Sequence, residues 1–281
     1  MANHPVRKMD EFRLELKAEH EVLYYPLEGN QEIIKPHSHN FLLLALFESG
    51  SGEHTIDFVK HKVRSKQLHI VFPDQLHSWK LGEDTKLHQL MIDKAVFDKI
   101  MNAFRFSFSV YKNTPVFDLT DAEYEALYKE FILQKEALAT ENTFKDVIIA
   151  RLWLIALMTS EIGARVFDDL TVYQAQPIIV DYLALVEKHF LEERGIAFYA
   201  GLLNITANYL NILCKKYCLV KATDLIKDRV ILEAKRLLIS GLSIKETCYE
   251  LNFSDVPYFS RFFKLQTGKT PKAFRNMYIP S

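Results

Sequence analysis

The chain has 281 residues, enough for two hydrophobic cores, and its 49% hydrophobic and 25% charged content is that of a globular protein, not of a disordered or fibrous one. The formal net charge of −1 hides an asymmetry: residues 178–281 hold 15 Lys and Arg against 10 Asp and Glu, the rest 20 against 26, so only the C-terminal part suits a polyanion. No apolar run approaches the roughly 20 residues of a membrane span, no secretory apolar region is evident, and Cys214, Cys218 and Cys248 lack metal or disulfide spacing, so a cytoplasmic protein with reduced thiols and no membrane partner is expected.

Residues 1–20 are polar with scattered apolar positions and are expected to form a leading arm. Residues 21–119 carry the strand signals. Phe41 to Phe47 is an unbroken apolar run that ends at Ser49-Gly50-Ser51-Gly52. His54 to Val59 alternates, Leu68 to Phe72 stops at Pro73-Asp74, and Leu87 to Ile92 closes the series. Short strands at this spacing predict a small antiparallel barrel or sandwich. Residues 120–176 change to helical periodicity. Thr120 and Glu123 form a capping box ahead of Tyr124, Leu127, Tyr128, Phe131 and Ile132. A second helix over about 143–162 is apolar on two faces, with Val147, Ile148, Leu152, Ile155 and Ala156 on one and Ile149, Trp153, Leu154 and Leu157 on the other. Such a helix needs two partners: the barrel, and a second copy of the chain. Pro177 marks the next domain boundary.

Residues 177–281 are predicted to be nearly all helix, and one pattern occurs twice in them, about 48 residues apart. Leu203-Asn204-Ile205-Thr206 precedes Tyr209 to Lys215, and Leu251-Asn252-Phe253-Ser254 precedes Tyr258 to Lys264. Each copy reads as a short helix, a tight polar turn, a Thr or Ser N-cap and an amphipathic helix, which is a helix-turn-helix. Thr223 is expected to cap a long connecting helix that ends at Gly241; Ser243 and Glu246 open the second unit; Thr270-Pro271 opens the last helix. In the first copy Tyr209, Leu210 and Leu213 read as core, leaving Ala207, Asn208, Asn211 and Ile212 outward. In the second, Tyr258, Phe259, Phe262 and Phe263 read as core, with Val256, Pro257, Ser260 and Arg261 outward. Asn can pair with adenine, Ile212 can pack on a thymine methyl, and Arg261 can bind guanine or phosphate. Lys215, Lys216, Lys264, Lys269 and Lys272 are the phosphate candidates.

The run from Ile244 to Asp255, through Tyr258 to Lys264, to Gly268-Lys269-Thr270-Pro271 and Phe274-Arg275 resembles the signature of the AraC/XylS family of bacterial transcription regulators. The resemblance spans roughly a hundred residues. Asn208, Asn211 and Ile212 stand at positions that face bases in similar proteins. Three residues depart from the usual pattern: Cys214 replaces an aromatic, and Leu219 and Asn252 replace glycines. Pro36-His37-Ser38-His39, Ser49 to Gly52 and Pro73 to Trp79 resemble the cupin-like sensor domain often joined to this reader. The resemblance implies an α+β protein in two domains: a cupin-like β-barrel with helices, then an all-α double helix-turn-helix.

His37, His39 and His77 have the HxH-plus-His look of a cupin metal site, but Leu43 and Leu44 stand where its glutamate would be. The preferred reading is a ligand pocket at the barrel mouth, lined by His37, His39, His77 and Trp79, with no metal, no cofactor and no enzymatic activity. The resulting expectation is a cytoplasmic, DNA-binding transcription regulator that is homodimeric through residues 120–162, meets double-stranded DNA and RNA polymerase, and is controlled by a small-molecule effector. Two alternatives stand beside it: a ligand-independent regulator whose barrel is only a dimer scaffold, and a cupin-type metalloenzyme.

Overall fold

A computed structural model describes residues 6–7, 9–16, 21–106, 108–167, 177–218 and 220–278. It divides into two compact units, Pro5–Tyr173 and Gln174–Ser281, the latter including Met1–His4.

The first unit opens with β1 (Val6–Arg7) and α1 (Met9–Leu16), followed by β2 (Val22–Glu28), β3 (Gln31–His39), β4 (Phe41–Ser49), β5 (Gly52–Ile56) and β6 (Val59–Lys62). Next come β7 (Gln67–Val71), β8 (His77–Leu81), β9 (Lys86–Asp93), α2 (Lys94–Ile100), α3 (Phe108–Asn113) and β10 (Val116–Asp118). The helices α4 (Asp121–Ala139) and α5 (Lys145–Val166) complete it. One sheet runs β1-β3-β8-β5-β6 and the other β10-β7-β4-β9-β2, antiparallel throughout except for the short β1–β3 pair.

The apolar run of β4 follows from its place at the centre of its sheet, buried on both faces. Phe41, Leu43, Ala45 and Phe47 enter the core between the sheets, together with Ile56, Val71, Trp79 and Met91. Leu42, Leu44 and Leu46 face the other way, into a core shared with helical residues such as Leu127, Phe131, Ile148, Leu152 and Ile155. Period-2 alternation sends neighbours to opposite faces, and here both faces are covered. At the β4–β5 turn Gly52 has φ +107°, and a Cβ there would lie 2.1 Å from the Lys80 carbonyl oxygen, so only glycine fits.

The expected arm is not a free one: α1 buries Met9 and Phe12 in the core between the sheets. The Thr120–Glu123 capping box is present, with both of its hydrogen bonds. Helix α5 is long and apolar enough to cross a membrane, unlike the expectation from the sequence, but Ile148, Leu152, Ile155, Ala156 and Ile162 are buried in the core it shares with the sheet; Val147, expected on that same buried face, is instead 42% exposed near the start of the helix.

The second unit comprises α6 (Pro177–His189), α7 (Ile196–Leu202), α8 (Ala207–Tyr217), α9 (Ala222–Ile239), α10 (Ile244–Glu250), α11 (Val256–Thr267) and α12 (Pro271–Asn276). Helix α9 is its axis and touches α6, α8, α10, α11 and α12. It buries Ala222, Ile226, Val230, Ala234 and Leu238 at helical spacing. Arg229 clamps α6 to it: the guanidinium bonds Glu187 (2.7 Å) and Glu233 (3.0 Å) and lies 3.9 Å from the centre of the Phe190 ring. Gly241, at φ +98°, ends α9 as expected, Ser243 and Glu246 form the capping box of α10, and Thr270 caps α12 ahead of Pro271.

Candidate nucleic-acid interface and ligand cavity

The two reader turns are built alike. Asn204 (φ +55°) and Asn252 (φ +53°) each stand just past a short helix in the left-handed region. In the first turn the Ile205 amide donates to Ala200 O (3.0 Å) and the Asn204 amide to Gly201 O (3.1 Å). In the second, Phe253 donates to Cys248 O (3.0 Å) and Asn252 to Tyr249 O (2.9 Å). Both are Schellman closures, which need a left-handed residue at this position, and asparagine serves where glycine is usual. Thr206 then caps α8 by accepting the Tyr209 amide (3.1 Å). The cap of α11 is Asp255, not the expected Ser254, and accepts the Tyr258 amide at 2.7 Å. Pro257 lies in the first turn, where its missing N–H costs nothing. Leu219, at the expected end of the first recognition helix, lies outside the described residues; Gly268 ends α11 at φ +75°.

Both recognition helices bury the same slots. Leu210 and Cys214 in α8, and Phe259 and Phe263 in α11, are fully buried, and Leu213 is nearly so. Asn208, Ile212, Pro257 and Arg261 are exposed, while Val256 and Ser260 are half-buried. Three sequence expectations change. Tyr209 and Tyr258 were expected in the core but are 45% and 49% exposed, in equivalent places beside the reading face. Phe262, also expected in the core, is only half-buried. Asn211 was expected to face bases, but it is half-buried and its Oδ1 accepts the Ala222 amide (3.1 Å), the first of α9. Thr223 therefore does not cap α9; a side chain from α8 does, because α9 starts at Ala222 and Lys221 offers no capping side chain. Lys215 and Lys216 are exposed in the last turn of α8, Lys264 in that of α11, and Lys269 and Lys272 flank the start of α12.

The second candidate site lies between the sheets of the first unit. His37, His39, His77 and Trp79 are not at a mouth but inside, each no more than 6% exposed. They line a cavity of about 290 Å³ with Phe12, Tyr25, Gln31, Ile33, Phe41, Leu43, Gln89 and Met91. Of these additional residues, the glutamines and Phe12 carried no local signal in the sequence.

Behind the cavity a chain of hydrogen bonds runs inward from the exposed Asp118 carboxylate, made largely by residues not picked out from the sequence. Gln67 Nε2 donates to Asp118 Oδ1 (2.6 Å), and Gln67 Oε1 accepts from the Arg64 amide (2.8 Å) and from His69 Nε2 (3.1 Å). A neutral His69 that donates from Nε2 must accept at Nδ1, so His54 Nδ1–H donates to it (2.9 Å). His54 Nε2 is then an acceptor, filled by His77 Nδ1–H at 3.0 Å. Burial, with neighbouring histidines adding to it, holds His54 far below the ordinary imidazole value and His69 at about 3. His39 Nδ1 donates to the Phe41 carbonyl (2.8 Å). Among the described residues no group of three or more His, Cys, Asp or Glu is arranged to hold a metal ion.

Comparison with known proteins bears on both sites. A family model described as a helix-turn-helix domain matches residues 199–277, and one described as an AraC-like ligand binding domain matches residues 22–141. The chain is 22% identical over 258 residues to the uncharacterized HTH-type transcriptional regulator YfiF of Bacillus subtilis (strain 168), covering 87% of this chain and 80% of that protein. Over 105 residues it is 27% identical to an uncharacterized HTH-type transcriptional regulator in the cgkA 5' region of Pseudoalteromonas carrageenovora, covering 36% of this chain and 60% of that one. Among solved structures, unsaturated fatty acid-bound ToxT from Vibrio cholerae strain SCE256 aligns over 91% of this chain and 94% of its own, at 14% identity and a TM-score of 0.45.

Proposed function

Since this chain is an AraC-family DNA-binding regulator with a ligand-binding N-terminal domain, we propose that α8 and α11 enter successive major-groove segments of one duplex, and that a small molecule held between the sheets controls the outcome. The observation that carries the reading is the matched exposure on the two recognition helices. Asn208, Tyr209 and Ile212 on α8, and Pro257, Tyr258 and Arg261 on α11, are outward at equivalent positions after equivalent turns. Tyr209 and Tyr258 join the base- or sugar-facing set, and Asn211 leaves it. Val256 and Ser260 flank Arg261, and the five lysines serve the phosphates. Ile212 occupies the slot that Arg261 holds in the other helix, so one monomer reads an asymmetric site, apolar contact in one half and guanine or phosphate in the other.

The partner is double-stranded DNA, in the cytoplasm. We assign the outward stripe of α5 to a homodimer: Phe144, Val147 and Leu154 are exposed there at helical spacing. A binding selection on the full chain tests the readers. Arg261→Ala should lose base preference in one half-site only, whereas Lys269→Ala should weaken all sequences alike and lower the salt slope by about 1. Unchanged preference in the Arg261 variant would remove the assignment.

A further inference from the structure

The turn of the second reader is held from outside that reader. Arg194, half-buried in the connection between α6 and α7, lays its guanidinium over Phe253, 3.7 Å from the ring centre, and donates from Nη2 to the Leu251 carbonyl. The last carbonyls of a helix lack partners within it, and Leu251 caps the end of α10, where the helix dipole also favours a cation. Burial pulls the Arg194 pKa below the ordinary guanidinium value, and a cation held over a ring away from water binds it more strongly than one at the open surface. The turn returns a bond of its own: Asn252 Nδ2 donates to the Leu191 carbonyl (3.4 Å). Glycine in place of Asn252 would keep the left-handed turn but not this bond.

The same connection is tied to the first reader. Tyr199, fully buried in α7, donates its hydroxyl to the Glu193 carbonyl (2.6 Å), one residue before Arg194. Residues 191–194 therefore bond both readers within four positions. On the far side, Phe253 carries the constraint into α11. It is 4% exposed, and its ring centre lies 5.6 Å from that of Tyr258, 5.2 Å from Phe259 and 5.3 Å from Phe262. Tyr258 stands beside the reading face, so where Phe253 sits decides where that face points. Helix α9 already packs against both readers, and this bridge is a second attachment made by different residues.

We propose that Arg194 is a positioning residue for DNA reading: by tying the segment that leads into the first reader to the turn of the second, it fixes the register between α8 and α11, so that the chain accepts one half-site spacing. The proposal rests on the reading that both helices enter one duplex. Arg194 itself touches neither base nor phosphate, and acts through Phe253 and the Leu251 carbonyl.

The test uses the full chain and the DNA recovered with it by binding selection, together with versions of that DNA lengthened or shortened by one base pair between the half-sites. One base pair moves a half-site by about 3.4 Å and turns it by about 34°. That change should cost the unaltered chain at least about tenfold in affinity. Arg194→Ala should bind the selected DNA about three- to tenfold more weakly, and lose less than about threefold on the altered spacings. Arg194→Lys should behave like Arg194→Ala, because an ammonium lacks the planar fork that covers the ring and reaches the carbonyl together. The salt slope should stay that of the unaltered chain in both variants, whereas loss of a phosphate contact would lower it by about 1 in Arg194→Ala. Unfolded protein lowers binding to every spacing alike, so the spacing penalty separates positioning from stability. If the Arg194 variants unfold, Asn252→Gly decides: its spacing penalty should be at least about twofold smaller than that of the unaltered chain. A spacing penalty unchanged in the folded variants, or a lowered salt slope in Arg194→Ala, overturns the proposal and leaves the two-reader assignment standing. An unaltered chain indifferent to spacing removes that assignment, and the proposal with it.

Discussion

His54 and His69 show how a single residue type is changed by its surroundings. In the folded chain both rings are buried and neutral, while in the unfolded chain they return to about 6.5. Below that pH the unfolded state binds more protons, so stability is complete above about 6.5 and falls as the solution is acidified. The slope is up to about 1.4 kcal/mol per pH unit for each ring, and for His69 it persists down to about 3. The first unit should therefore show an unfolding midpoint that is flat above neutrality and drops on mild acidification. Both tryptophans, Trp79 and Trp153, lie in that unit, so intrinsic fluorescence reports it. A midpoint unchanged between about pH 7 and pH 5 would mean that the rings are not held neutral. Asn204 and Asn252 make a quieter residue-level point. They occupy the left-handed region at a modest cost, and the two paired amides at each turn hold them there.

Between elements, the junction of α8 and α9 is decided by one amide. The first N–H groups of any helix lack partners within it, and Lys221 cannot supply one for α9. Asn211 supplies it from the recognition helix, so the reader and the central axis are joined at the point where the chain turns between them. Asn211→Ala should lower stability by about 1 kcal/mol, read by chemical denaturation of the full chain, and leave base preference in a binding selection unchanged. A shift in base preference with stability intact would return Asn211 to the reading face. The equivalent residue in α11, Ser260, is also half-buried, so neither helix uses this slot as an open contact. What the helices present instead are Tyr209 and Tyr258, two large amphipathic side chains at one equivalent position.

At the scale of the whole molecule, charge and apolar surface are divided between the units. The basic excess belongs to residues 178–281, which contain both reader helices, and the exposed apolar stripe of α5 belongs to the unit that holds the cavity. Leu154 is 43% exposed near the middle of α5. Leu154→Glu should give monomers in sedimentation where the unaltered chain gives dimers, and should weaken binding to a two-site DNA more than to a single site. Ligand binding in the cavity should not change. A monomeric unaltered chain at micromolar concentration would remove the dimer assignment.

Much of this was legible in the residues alone. The doubled turn, the caps at Thr120, Thr206, Ser243 and Thr270, the stop at Gly241 and the central strand Phe41–Phe47 are set by neighbours within a few positions, where periodicity and turn chemistry act. The cavity histidines His37, His39 and His77 and Trp79 were also picked out, though at a mouth and not in the interior. What only the tertiary structure decided involves partners far apart in the chain. Gln67 meets Asp118 across 51 residues, His54 meets His69 across 15 and His77 across 23, and Phe12 closes the cavity from the N-terminal helix. Alternation places His54 with Ile56 and His69 with Val71 on inward faces, but it cannot say which inward faces meet. The outward turn of Tyr209 and Tyr258 is of the same kind. An aromatic residue on an amphipathic helix faces the core only if the helices packed around it leave room, and here Leu210 and Cys214, like Phe259 and Phe263, fill that space first.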